Sequence, residues 1–148
     1  MSKHWFYEWI LPLSPTILTI IGWWVIGKRE QDKRKNDRFH QRIDTAILLI
    51  AEIKKLAIEY YGKNGSECTE IGQEIVFKFK KLSYLCGKIS QDSVIQNCFL
   101  AFKIEISGGD FQNYHRSALP NKHQKFLDIR DKAFELRKML DDLHDSVN

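Results

Sequence analysis

The stretch WILPLSPTILTIIGWWVIG, residues 9–27, decides how the rest of the chain is organised. It carries no formal charge, and as a helix rising about 1.5 Å per residue it would extend roughly 28 Å, close to the hydrocarbon thickness of a bilayer. Aromatic residues lie at both ends, as is typical of helices that meet two lipid–water boundaries. They are Trp5, Phe6, Tyr7 and Trp9 at one end and Trp23 and Trp24 at the other. The stretch therefore predicts a transmembrane helix.

Two other interpretations of this stretch are weaker. A cleaved secretory signal needs small residues at a cleavage site after the apolar run, whereas Lys28 and Arg29 follow here directly. A buried core helix of a water-soluble domain seldom has so long an uncharged run.

Positive charge is concentrated directly after residue 27. The net charge of the 148-residue chain is +4, and residues 28–42 carry all of that excess, because the charges of the parts before and after them cancel. Since cytoplasmic flanks of membrane helices are rich in Lys and Arg, we expect an outside amino terminus and an inside carboxyl terminus in a bacterial inner membrane. DNA and RNA are not expected as partners. The predicted contacts with anionic lipid headgroups are Lys28, Arg29, Lys33, Arg34, Lys35, Arg38 and Arg42.

The chain divides, by composition, into three predicted parts. Residues 1–27 form a tail and the transmembrane helix, residues 28–36 a basic juxtamembrane linker, and residues 37–148 a cytosolic helical domain. Three cysteines, Cys68, Cys86 and Cys98, have neither the spacing of a zinc site nor the even number of a disulfide framework. We therefore expect buried reduced thiols, no metal and no cofactor.

The domain has two heptad patterns that predict long helices packed in a bundle. The first helix is expected to begin with Asp37 as N-cap, or to be continuous with the membrane helix through residues 28–36, and to end at Gly62. Two further helices are expected over residues 66–85 and from Ser90 onward. The predicted fold is thus all-α, with a four-helix bundle-like domain, and the two seams predict packing within the bundle and against other copies in a homo-oligomer. The seams are Phe39, Ile43, Ala46, Ile50, Ile53, Ala57 and Tyr60, and Phe126, Ile129, Ala133, Leu136, Leu140, Leu143 and Val147.

Residues 107–120 form the one long irregular stretch between predicted helices, and long connections are more often functional than short ones. Glycine backbone N–H groups and an Arg fork suit a phosphate, and Tyr and His rings suit a base. The candidate ligand-binding residues are Gly108, Gly109, Asp110, Tyr114, His115, Arg116, Lys122 and His123. In the other interpretation, which we favour, Gly108 is a helix C-cap, Asp110 the N-cap of a short turn, and the aromatic residues cover the open end of the bundle.

Arg116 and His123 also match the signature of HEPN ribonucleases, an Arg and a His separated by four to six residues. The same spacing occurs in two unrelated places, Arg34 with His40 and Arg137 with His144, so the pattern discriminates poorly. No Ser/His/Asp arrangement or phosphate-cradling Walker loop is present in the sequence. We predict no catalytic residues and no enzyme.

The layout of an amino-terminal anchor, a basic collar and a small helical domain resembles the small membrane effectors of prokaryotic antiviral defence. Among these are type III CRISPR-associated membrane proteins whose cytosolic domain binds a cyclic oligoadenylate and oligomerises. The resemblance is one of layout and rests on no shared motif, and a single span departs from a pore-forming protein. It implies a sensor of a nucleotide second messenger. The alternative function is that of a structural membrane tether or prophage exclusion factor. A HEPN-like ribonuclease is the third hypothesis.

Overall fold

The computed structural model describes residues 11–146 and the side chains of residues 18–146. This part of the chain is all-α, as predicted, and contains no strand. Its helices are α1 (Leu11–Gly62), α2 (Thr69–Ile89), α3 (Ser93–Ser107) and α4 (Gln124–Ser146), with a short 3₁₀ helix at Gly65–Glu67. The chain divides into two compact units, Met1–Arg38 and Phe39–Asn148.

The first unit consists, where it is described, of α1 residues alone. Its apolar side chains from Leu18 to Ile26 include several that are 51–77% exposed. Within the described residues, no helix combines the length and the apolar character needed to cross a membrane. Part of the predicted span, residues 9–10 and the side chains of residues 11–17, lies outside that description. The structure thus gives the transmembrane helix no support, and it stays a prediction.

The second unit is a bundle-like arrangement of the carboxyl-terminal part of α1 with α2, α3 and α4. The α1 seam is buried in its core from Ile43 to Tyr60, with Ile43, Ala46, Ile53 and Ala57 fully enclosed, whereas Phe39 is partly buried. The α4 seam faces the same core over Phe126, Ile129, Ala133, Leu136 and Leu140, whereas Val147 lies outside the described residues. Both seams are therefore used within one chain, and contacts between copies would need other surfaces.

Two predicted helix starts, at Asp37 and at Ser90, are wrong. Asp37 does not begin a helix, because α1 is continuous from Leu11 to Gly62. The N-cap of α3 is Asp92 and not Ser90, since the Asp92 Oδ1 accepts from the Val94 N–H at 3.0 Å. The Ser90 hydroxyl instead accepts from the Asp92 N–H at 2.9 Å, which orients the capping residue.

The other boundaries differ by a few residues. The predicted start of α2 at Ser66 lies in the 3₁₀ helix, and α2 itself begins at Thr69. It ends at Ile89, after the predicted end at residue 85. The last helix begins at Gln124, a few residues after the predicted irregular stretch ends at residue 120. The predicted end of the first long helix at Gly62 is confirmed.

The three cysteines are free thiols, as predicted. Cys68 and Cys86 are buried, whereas Cys98 is half-buried. Burial raises the pKa of the Cys86 thiol to about 11, because the apolar surroundings disfavour the thiolate. Cys86 therefore stays protonated and unreactive at neutral pH.

We expect His40→Leu to stabilise the second unit. The His40 ring packs edge-on against His144, with 4.3 Å between centroids. Both of its ring nitrogens are buried and have no hydrogen-bond partner in the described part of the chain. Replacing such a group by an apolar one removes its desolvation cost, so the free energy of unfolding should rise by about 1 kcal/mol.

Urea denaturation followed by circular dichroism measures this change. The matched control is His115→Leu at an exposed position, which should alter stability by less than about 0.5 kcal/mol. A destabilised His40→Leu variant would show that the ring nitrogens do have a partner.

Candidate functional site

The carboxyl end of α1 is the point at which the candidate segment, residues 107–123, attaches to the bundle. The last carbonyls of a helix have no partner within the helix and carry a partial negative charge. Here the Tyr61 carbonyl accepts from the Leu119 N–H at 2.8 Å, and the Tyr60 carbonyl accepts from the Lys63 N–H at 3.4 Å. The helix end is thus covered partly by the turn that follows it and partly by the candidate segment.

Arg116 lies in the middle of this attachment and is the one buried charged residue among those described. Its Nη2 donates to the Tyr60 carbonyl at 2.7 Å, and its Nη1 donates to the Tyr61 carbonyl at 3.3 Å. The remaining contacts are an Nη1 bond to the Ser117 carbonyl and an Nη2 bond to the Cys68 sulfur, both 3.3 Å. We call this arrangement the Arg116 clamp.

The charge of the clamp is balanced without an acidic side chain. No carboxylate in the described residues lies within 4.0 Å of the guanidinium. Its carbon atom lies 4.7 Å from the centre of the Tyr60 ring and 4.9 Å from that of the Tyr61 ring. The negative end of α1 and two electron-rich ring faces therefore compensate the cation.

The clamp gives Arg116 a structural role in place of the predicted contact with phosphate. Both Nη groups are engaged with groups of the same chain, and the Nε is buried without a partner in the described residues. A planar fork recognises a phosphate only when its donors face the ligand. The candidate site therefore lacks the cation on which the sequence-based interpretation relied.

Backbone contacts fix the rest of the segment to the α1–α2 connection. The Gly65 N–H donates to the Arg116 carbonyl at 2.8 Å, and the Ala118 N–H donates to the Asn64 Oδ1 at 3.1 Å. A Cβ at Gly65 would lie 2.7 Å from the Tyr114 carbonyl oxygen, closer than real Cβ atoms approach. The absence of a side chain at Gly65 thus lets the two connections touch.

Tyr61 extends the attachment to α3. Its hydroxyl donates to the Ile106 carbonyl at 2.6 Å, at the end of that helix. Burial raises the pKa of Tyr61 well above its ordinary value, and Tyr60 adds to the shift while Arg116 opposes it. The hydroxyl therefore stays a neutral donor, and one residue of α1 joins the ends of two helices.

At the start of the candidate segment, Gly108 follows the capping interpretation. The Gly108 N–H donates to the Ile104 carbonyl at 2.8 Å, which makes Gly108 the C-cap of α3 and occupies the N–H that an anion would need. Gly109 and Gln112 adopt positive φ angles of 61° and 66°. Asp110 is exposed, and its carbonyl accepts from the Asn113 N–H at 3.1 Å.

The other candidate residues are exposed. Tyr114 is 62% exposed, and its ring contacts that of His115 at 5.5 Å. Lys122 and His123 lie just before α4, where the His123 Nδ1 accepts from the Lys125 N–H at 3.1 Å and so caps the helix. The guanidinium of Arg116 faces the bundle interior while His123 is at the surface, so the pair does not present the two side chains of a nuclease to one substrate.

A cleft of about 240 Å³ lies beside Tyr114. Its lining carries no charged side chain and combines two tyrosines with hydroxyl and carboxamide groups. Sequence reasoning named only Tyr114 of its members as a candidate, because most of the others come from α1, the α1–α2 connection and α2 and carry no local signal. The lining residues are Tyr60, Gly65, Thr69, Gly72, Gln73, Gln112 and Tyr114.

The described residues contain no group of three or more His, Cys, Asp or Glu side chains able to hold a metal ion. Comparisons of the chain with protein families, with characterised proteins and with solved structures gave no match.

We expect Arg116→Met to destabilise the second unit by about 3 kcal/mol. The substitution keeps an unbranched apolar stem but leaves the α1 carbonyls without their charged donors, and hydrogen bonds to charged groups are worth about 1.5–3 kcal/mol each. Urea denaturation measures the loss. The control, Arg137→Met, removes an exposed guanidinium that pairs with Asp141 at 3.4 Å and should cost less than about 1 kcal/mol. Equal stabilities of the two variants would contradict the clamp.

Proposed function

We propose that this protein is a membrane-anchored, non-enzymatic recognition module of the bacterial inner membrane. In this proposal residues 9–27 fix the chain in lipid, and the second unit receives a nucleotide or a protein partner on the surface around Tyr114. The observation that carries the proposal is the Arg116 clamp. It immobilises a segment that still exposes an aromatic side chain beside a cleft, and recognition loops on a rigid scaffold have this form.

The exposed apolar residues of α1 support the membrane anchor. Trp23 and Trp24 are 77% and 66% exposed, and aliphatic residues between Leu18 and Ile26 are exposed with them. Apolar side chains crowded in this way mark an interaction surface or a membrane contact. All seven predicted headgroup cations are exposed, and the Lys28 Nζ lies 5.4 Å from the Trp24 ring centre. Rings at the interface followed by cations suit an anionic lipid surface.

The chemistry of the cleft supports recognition of a base in preference to a phosphate. Gln73 and Gln112 offer carboxamides that both donate and accept, and the exposed ring of Tyr114 offers a face for stacking. The likeness in layout to nucleotide-responsive membrane effectors of antiviral defence points to the same class of ligand.

A membrane tether that binds a protein is the second candidate. It is favoured by Phe77 and Tyr84, which are 69% and 65% exposed and lie two turns apart on one face of α2. The same face is available for the predicted self-association, because the two seams are enclosed in the core. The ribonuclease ranks below both, since Arg116 is engaged within the fold.

We expect the full chain to remain with membranes after a sodium carbonate wash. A variant lacking residues 1–27 should be released, because it retains the bundle core but loses the apolar segment. A reporter fused after residue 148 should face the cytoplasm. Release of the full chain by carbonate, or a periplasmic reporter, would refute the anchor.

We expect calorimetry of the full chain in lipid nanodiscs to detect binding of a cyclic oligoadenylate. Tyr114→Ala should weaken binding about tenfold, since stacking on an aromatic side chain is worth roughly 1–3 kcal/mol per base. Tyr84→Ala, an equally exposed tyrosine outside the cleft, should leave affinity unchanged. If no cyclic oligoadenylate binds, and a pull-down with the chain recovers a specific protein instead, the membrane tether is favoured.

A further inference from the structure

A second concave surface lies between α2 and α3, on residues that do not line the cleft. This groove has a volume of about 310 Å³. It combines an apolar floor with two lysines and two serines. Its lining residues are Val76, Phe79, Lys80, Ser83, Lys103, Ser107 and Phe111.

The floor of the groove is aromatic and fixed in place. Phe79 is only 4% exposed, and its ring packs against Phe99 and Phe102 with centroid distances of 6.2 and 5.6 Å. Phe111 belongs to the segment that the Arg116 clamp immobilises, and its ring lies 5.0 Å from that of Tyr60. A flat apolar group entering the groove would therefore meet a preorganised surface.

The charge of the groove is positive and uncompensated. Lys80 on α2 and Lys103 on α3 are exposed, and neither has a carboxylate within 4.0 Å among the described residues. One acidic side chain of each of these helices is paired with another lysine. Glu74 lies 3.4 Å from the Lys78 Nζ, and Glu105 lies 3.2 Å from the Lys125 Nζ.

The hydroxyls complete the polar rim. The Ser107 Oγ donates to the Lys103 carbonyl at 2.8 Å, which fixes its orientation and leaves its lone pairs available as acceptors. Ser83, on α2, adds a second exposed hydroxyl to the lining. The groove can thus both donate to and accept from a ligand.

We infer that this groove binds a small organic anion with a flat aromatic body. The ring system packs on Phe79 and Phe111, and the phosphate or carboxylate is held between Lys80 and Lys103. A volume of this size suits a small ligand of one or two rings. The inference goes beyond the proposed function, because it requires neither the membrane anchor nor the cleft beside Tyr114.

Calorimetry of the full chain in phosphatidylcholine nanodiscs tests the inference, with empty nanodiscs as the blank. The probes are 1-naphthyl phosphate and 1-naphthoate, compared with neutral 1-naphthol and with inorganic phosphate. At least one naphthyl anion should bind about tenfold more tightly than naphthol and than phosphate, because only the anions use both the floor and the lysines. The tighter anion identifies the headgroup that the groove prefers.

Variants locate the binding. Lys80→Gln with Lys103→Gln should weaken it about tenfold or more, whereas Lys81→Gln, which changes an exposed neighbouring lysine outside the lining, should not. Ser83→Trp should abolish binding by filling the groove from an exposed position. The inference is overturned if neither naphthyl anion binds at millimolar concentration, if naphthol binds as tightly as the anions, or if the lysine and tryptophan variants bind like the unaltered chain.

Discussion

A buried guanidinium on the carboxyl end of a helix is the interaction on which the second unit depends. Arg116 bonds to the last carbonyls of α1 and lies against the rings of Tyr60 and Tyr61. A helix end buried without donors would cost free energy for every unpaired carbonyl, and a buried cation without compensation would cost still more. The guanidinium therefore supplies the donors that the α1 carbonyls need, and the carbonyls compensate the charge of the buried guanidinium.

The clamp also organises the surface around it. Because the segment after α3 is tied to the α1–α2 connection, Phe111 is held at the groove and Tyr114 at the cleft. The two concave surfaces differ in electrostatics, since the cleft is uncharged and the groove carries two lysines. One immobilised segment thus contributes to two surfaces with different chemical preferences.

Sequence reasoning was most successful for helix faces that a repeating pattern defines. It was least successful where a single contact determines the role of a residue. The heptad positions predicted two core helices, and the described positions are buried except Phe39 and Leu143, which are partly buried. The N-cap of α3 was misassigned because Ser90 and Asp92 are both good capping residues, and only the observed bond to Val94 distinguishes them. Arg116 was a candidate for a phosphate contact because an arginine that follows glycines and aromatic residues is compatible with a ligand site and with a buried clamp alike.

The sequence by itself determined the all-α class, the faces of α1 and α4 that form the core, and the concentration of positive charge after residue 27. These follow from periodicity and composition, which are local properties of the chain. Only the tertiary structure decided that Arg116 faces inward and that Lys80 and Lys103 meet at one groove. The partners of Arg116 lie 55 and 56 positions away in the chain, and the two lysines belong to different helices. Whether a charged side chain is satisfied by its own fold or left for a ligand depends on distances between such remote groups, which no local pattern encodes.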